Sequence, residues 1–206
     1  MTTLLLIRHG ENDMVVDRLA GRLPGIHLND QGREQAQRII RMLEGIPIKA
    51  VYSSPLERSL ETARLLADAR NLPISVSHPL VEVDYGEWQG CTYEELKLLP
   101  LWEKVLGEPE NSGFPGGETF TAVQQRACTE IRHIASWYNK DDVVACYTHG
   151  DIIRLSLAFF LNMPMVCFHS FVINTGSVTV LYFDQDHHPF VVHTNLTEKL
   201  ALKPVV

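Results

Sequence analysis

Two histidines in this chain follow apolar runs and precede a glycine. Leu4-Leu5-Leu6-Ile7 leads into Arg8-His9-Gly10-Glu11, and Val143-Val144-Ala145-Cys146-Tyr147 leads into Thr148-His149-Gly150-Asp151. Runs this apolar, of strand length, suit strands buried on both faces of a parallel sheet. Ligands of such sheets collect beyond the carboxyl ends of the strands, so both imidazoles are expected where chemistry occurs. Arg8 adjoins one of them, and Arg58 opens a helix after a further strand. If the three strands are neighbours, two arginines and two histidines converge on one point. That set suits a phosphoryl group, because guanidinium forks bind its oxygens in pairs and offset charge that moves in the transition state. One imidazole can then attack phosphorus and form a phosphohistidine. The leaving alkoxide needs a proton, which Glu82 or Glu87, in a loop after another strand, can supply as general acid. This scheme requires no metal and no other cofactor. His187-His188 is the pair that invites a metal reading, but it sits in the polar turn from Asp184 to Pro189 and reads as a solvated hairpin tip.

The elements that must position these groups follow from pattern. Residues 10–28 form a long loop containing Arg18, Gly21, Arg22, Pro24 and Gly25, and loops of this length are often functional. Asn29-Asp30 offers an N-cap for a helix with Ala36, Ile39, Ile40 and Leu43 on one face, ended by Gly45 and Pro47. Ala50-Val51-Tyr52 is a short strand. After it, Ser54 reads as a helix N-cap, Pro55 as the first helical residue and Glu57 as the capping-box partner. Arg58 then lies in the first turn, where the helix dipole also favours an anion. Residues 74–83 look extended, and 82–90 form a loop of carboxylates, aromatics and glycines. Residues 99–117 hold several Pro and Gly and read as the least regular stretch, a lid-like insertion in a single domain spanning 1–206. A helix from Glu118 to Tyr138, the strand at 143–147 and a helix to about Phe160 follow, then antiparallel strands near 170–174, 177–184 and 189–194. The alternation predicts an α/β fold of three layers, with a mostly parallel central sheet flanked by helices.

Composition narrows the function further. The chain has 206 residues, 45% of them hydrophobic and 21% charged, which suits one globular domain with a sizeable core. A formal net charge of −7 argues against a general nucleic-acid or anionic-membrane surface, so an anionic substrate must rely on clustered arginines. Cys91, Cys128, Cys146 and Cys167 show no CxxC pairing; the last three fall in apolar patterns and read as reduced, buried thiols. Neither a signal peptide nor a membrane-spanning stretch is recognisable, so the expected compartment is the cytoplasm.

The motifs carry a resemblance. Leu6-Ile7-Arg8-His9-Gly10-Glu11 resembles the signature of the histidine phosphatase superfamily, the phosphoglycerate-mutase-like enzymes. Ser53 to Ala63 is similar to that family's second arginine motif. Glu82 with Tyr85-Gly86-Glu87-Trp88-Gln89-Gly90 looks like the segment carrying its acid, and Tyr147-Thr148-His149-Gly150 resembles its second histidine motif. The resemblance implies a phosphoglycerate mutase-like fold, with His9 as the nucleophile that becomes phosphorylated. It places Arg8, Arg58 and His149 in the phosphate pocket and Glu82 as the proton donor in preference to Glu87, with Glu11 a structural partner of the pocket. Many members carry an asparagine six residues after the nucleophile, where this chain has Val15, which cannot donate. Asn12 stands nearby as a substitute in a different register, and Arg22 is a second candidate for an anionic substrate. The implied activity is a phosphatase acting on a small phosphorylated metabolite. The alternatives are a phosphomutase, whose members usually carry a longer insertion after the acid and a longer C-terminal tail, a phosphoprotein phosphatase, and a phospho-ligand binding module. A homodimer is an open expectation.

Overall fold

The computed structural model describes residues 2–198. The mutase comparison partly rests on the short tail beyond the last strand, which lies largely outside the described residues. A six-stranded sheet forms the centre, in the order β3-β2-β4-β1-β5-β6. Its members are β1 (Thr2–Arg8), β2 (Ile48–Ser53), β3 (Ile74–Val76), β4 (Val143–Thr148), β5 (Val178–Phe183) and β6 (Pro189–Leu196). The first four run parallel, and β5 pairs antiparallel with both β1 and β6. The sheet is therefore mixed but mostly parallel, as the alternation predicts.

Side chains of β1 alternate between two cores. Leu5 and Ile7 pack with Ala145, Tyr147 and Ile39 of α1 (Asp30–Met42) on one face. Leu4 and Leu6 pack on the other with Val144, Cys146, Ile131 of α5 (Phe120–Ser136) and Ile153 of α6 (Gly150–Phe160). Burial on both faces is why both strands lack polar alternation. Asn29 caps α1 as expected, its side chain accepting from the Gly32 backbone N–H at 2.9 Å.

Four expectations change. Helix α2 (Glu57–Arg70) begins at Glu57, with Leu56 at its N-cap and no side-chain cap. Ser54 is drawn off to His149, and the Glu57 carboxylate accepts from the Gly25 backbone N–H at 3.1 Å instead of closing a capping box. The 99–117 region is more regular than its prolines suggested. Within it α4 (Pro100–Gly107) uses Pro100 as its start rather than its break, and just before it α3 (Tyr93–Lys97) closes a capping box between Thr92 and Glu95. Residues 170–174 form no strand. Arg154 Nε donates to the Phe171 carbonyl at 3.0 Å and Arg8 Nη1 to the Ile173 carbonyl at 2.6 Å, so side chains satisfy that backbone in place of a ladder. Cys128 and Cys146 are buried, but Cys167 lies half-buried in a 3₁₀ turn at Met165–Ser170. No helix among the described residues is long and apolar enough to cross a membrane.

Candidate active site

Strands β2, β4 and β1 are adjacent and end level with one another. Arg8 pairs in register with Thr148, the His9 N–H donates to the Thr148 carbonyl at 3.0 Å, and the Ser54 N–H donates to the Tyr147 carbonyl at 2.9 Å. The two motif histidines therefore meet above the sheet, with ring centroids 5.1 Å apart. Gly10 is required by close approach: a Cβ there would lie 2.5 Å from the Gly32 carbonyl oxygen of α1. The Gly10 N–H donates to Thr62 Oγ1 at 3.0 Å, and that hydroxyl donates to the Arg58 carbonyl, tying the histidine loop to the first turn of α2.

The ring nitrogens have defined roles. His9 Nδ1 lies 2.7 Å from the Gly10 carbonyl, which can only accept, so Nδ1 carries the hydrogen and Nε2 keeps its lone pair. Arg58 Nε donates to that Nε2 at 3.3 Å. Arg58 Nη2 also reaches His149 Nδ1 at 3.3 Å, and a guanidinium can only donate, so His149 presents its Nε2–H to Ser54 Oγ at 2.7 Å. Burial, reinforced by Arg58, holds both imidazoles well below the usual histidine pKa, and Arg8 adds to the effect at His9. Both are neutral at physiological pH. Burial also lowers the two arginines, and Glu82 opposes the shift; a guanidinium nonetheless stays charged.

Charge and hydrogen-bonding capacity remain available at this point. Arg58 Nη1, Arg8 Nε and Asn12 Nδ2 are buried with no hydrogen-bond partner among the described residues. All three residues line a cavity of about 450 Å³, together with His9 and Glu82. Unsatisfied buried donors are rare in folded proteins and call for a ligand or an ion. Asn12 Oδ1 is occupied by the Met14 N–H at 3.0 Å, which fixes the amide with its NH₂ free. Val15 also lines the cavity and offers no donor.

Glu82 is buried, and its Oε1 accepts from the Val83 N–H at 3.0 Å. Burial first, then the Asp151 carboxylate, push its pKa up to about 7, against the lowering influence of Val83 N–H, Arg58 and Arg8. Glu87 does not line the cavity, and neither does Glu11. Arg22, expected to reach a substrate anion, is committed elsewhere. Its Nε donates to the Glu82 carbonyl at 2.9 Å and its Nη2 to Glu118 at 2.6 Å. Arg126 grips the same Glu118 at 2.9 Å and donates to the carbonyls of Pro79, Val81 and Glu82. This pair of arginines on one carboxylate pins the loop that carries Glu82, so Arg22 holds the backbone at Glu82 and does not line the cavity.

Several site residues were not legible from spacing. Ser54 hid inside a plausible cap. Tyr85 and Arg154 hold Asp151, the hydroxyl at 2.7 Å and the guanidinium at 2.9 Å, and all three line the cavity. The aromatic density of residues 85–120 was the available signal for the rings that wall it. The hairpin tip is exposed. Asp184, Asp186 and His188 approach one another there, but Asp184 Oδ1 accepts the backbone N–H groups of Asp186 and His188, as a turn residue does.

A mostly parallel sheet with two histidines and two arginines at its strand ends defines a phosphoryl-handling α/β protein. Residues 4–197 match the histidine phosphatase superfamily (branch 1), and the chain belongs to that family. It is 27% identical to phosphoserine phosphatase 1 of Hydrogenobacter thermophilus, over 96% of this chain and 93% of that one. It is 29% identical to the 2,3-bisphosphoglycerate-dependent phosphoglycerate mutase of Thermoplasma acidophilum, over 88% and 87% of the two chains. The fold superposes on a phosphoserine phosphatase from Entamoeba histolytica, crystallised with phosphoserine, with a TM-score of 0.85 at 26% identity, covering 98% of this chain and all of that one.

Proposed function

We propose that the protein is a metal-independent phosphatase that hydrolyses a small phosphomonoester through a phosphohistidine on His9. The observation that carries this reading is the unprotonated His9 Nε2, fixed by the Nδ1–H bond to Gly10, on a residue that lines one cavity with Arg58, Arg8 and Asn12, each of which holds a buried, unpaired donor. Those donors take the phosphoryl oxygens, and His149 orients Arg58 from behind. His9 Nε2 forms a bond to phosphorus as the P–O ester bond breaks. Glu82, protonated in part at neutral pH because its pKa is about 7, gives its proton to the departing alkoxide. The resulting carboxylate then takes a proton from water as the water oxygen attacks phosphorus. The N–P bond breaks, inorganic phosphate leaves, and His9 is again neutral.

Residues 99–117 act as a cover, since Trp102, Val105 and Leu106 of α4 and Phe114 line the cavity from that side. A cavity covered from this side suits a small molecule better than a phosphorylated protein segment. The mutase among the relatives favours one second reading, in which the phosphoryl group returns to another oxygen of the substrate rather than to water. The test is brief incubation with a phosphomonoester, mass spectrometry without acid, and product analysis. The expected result is an adduct on His9 that decays to free phosphate. An adduct on His149 overturns the assignment, and a rearranged phosphomonoester without free phosphate establishes the mutase.

A further inference from the structure

The cavity is far roomier than a phosphate needs. Its volume of about 450 Å³ falls within the range, about 300–1,000 Å³, of pockets that enclose organic ligands of substantial size. Above the charged floor its wall is formed by Leu19, Trp88, Trp102, Val105, Phe114 and Phe120. The rings make one continuous surface. Trp88 lies 5.9 Å from Trp102 and 5.3 Å from Phe114, and Phe114 lies 5.1 Å from Phe120. The charged groups that face the cavity away from the floor already have partners. Asp151 is held by Tyr85 and Arg154, Arg154 also donates to the Phe171 carbonyl at 3.0 Å, and Arg18 donates to the Gly90 carbonyl at 3.1 Å beside Asp17. A substrate bearing a second anion or an ammonium group would strip water from it against indole and phenyl faces, which is unfavourable without a new partner. An apolar substituent would gain burial and ring contacts there.

We infer that the alcohol portion of the substrate carries an apolar, ring-sized group, seated against Trp88 and Trp102 while the phosphate occupies the floor. The inference rests on the phosphatase reading above. Specificity lies in the wall: the floor treats all phosphomonoesters alike, and the rings select among their alcohols.

The experiment compares kcat/KM for 2-phenylethyl phosphate with those for phosphoserine and glycerol 3-phosphate, all esters of aliphatic alcohols. Burying one phenyl-sized group corresponds to a preference of roughly tenfold or more for the phenylethyl ester. In Trp102→Ala and, independently, Leu106→Asn, that ratio should fall by about tenfold, with the change mainly in KM. Trp102→Phe should restore part of it. Equal or better turnover of phosphoserine or glycerol 3-phosphate by the wild type overturns the inference and leaves the phosphatase reading standing. A ratio unchanged in both variants also overturns it. Phosphate release from none of the three esters, nor from phenyl phosphate, overturns both.

Discussion

The floor of the cavity is charged and is delivered by three strand ends. Arg8, His9 and His149 each sit within a residue of β1 or β4, and Arg58 is in the first turn after β2. The wall is apolar and is delivered by connections. Trp88 comes from a 3₁₀ turn, Trp102 and Val105 from the short helix α4, Phe114 from a loop, and Phe120 from the start of α5. The floor is held by hydrogen bonds in which nearly every donor has a defined acceptor, and the few unpaired donors belong to residues that line the cavity. The wall is held by packing, which tolerates replacement of one apolar ring by another. A reaction common to many substrates is thus built on the rigid sheet, and the part that selects among them is built where the chain can vary at little cost to the core.

Substitutions in the floor should affect every substrate, and this is the sharpest way to break the comparison. His9→Ala removes the nucleophile, and steady-state phosphate release should fall by roughly 10⁴-fold or more for polar and apolar esters alike. Residual activity that depended on the alcohol would mean that the wall takes part in the chemistry. Glu82→Gln should separate substrates by leaving group and not by polarity. Loss of the acid is expected to slow alkyl esters by about 10²–10⁴-fold while a nitrophenyl ester, whose nitrophenolate leaves largely unaided, is little affected. Glu87→Gln, outside the cavity, should show no such dependence. Equal losses on both esters in Glu82→Gln would remove Glu82 from the acid role.

A smaller effect tests the junction of the two regions. Asp151 raises the pKa of Glu82 and is anchored by Tyr85 and Arg154, which line the cavity between floor and wall. The acid must be protonated to act, so kcat on alkyl esters should fall as pH rises through about 7. Asp151→Asn removes the negative charge, lowers the Glu82 pKa, and should move that fall to lower pH without changing which alcohol is preferred. A pH profile of kcat for the two proteins checks both statements. The smallest expected effect is none: turnover should persist in excess chelator, since two arginines supply the floor's positive charge. Activity lost to chelator and regained only with a divalent metal would count against the mechanism.

The four motifs, their order and the strand-end placement of Arg8, His9, Arg58 and His149 were readable because each depends on a few consecutive residues. A continuous apolar run means burial on both faces, and a polar residue at its end means the sheet's rim. A mostly parallel sheet was inferred from the alternation of elements, and it held; that the three strands are neighbours was a condition, which the order β2-β4-β1 meets. Where readings failed, a distant partner competed for a local group. Ser54 has the sequence of an N-cap, but His149, 95 positions away, takes its hydroxyl. Residues 170–174 have strand-like character, yet the side chains of Arg8 and Arg154 satisfy their carbonyls. Arg22 looked free in a loop, and Glu118, 96 residues on, claims it. The wall of rings was beyond local reading for the same reason. Aromatic residues between 85 and 120 reveal only that something is buried, while their closure around the space above His9 follows from how α4 and the loop before α5 fold back over the sheet. The sequence by itself therefore determined which charged and imidazole groups form the floor, because they are set by adjacent residues on rigid strands. The tertiary structure alone decided the tautomers, the elevated pKa of Glu82 and the apolar chamber, because each depends on burial and on contacts between residues far apart in the chain.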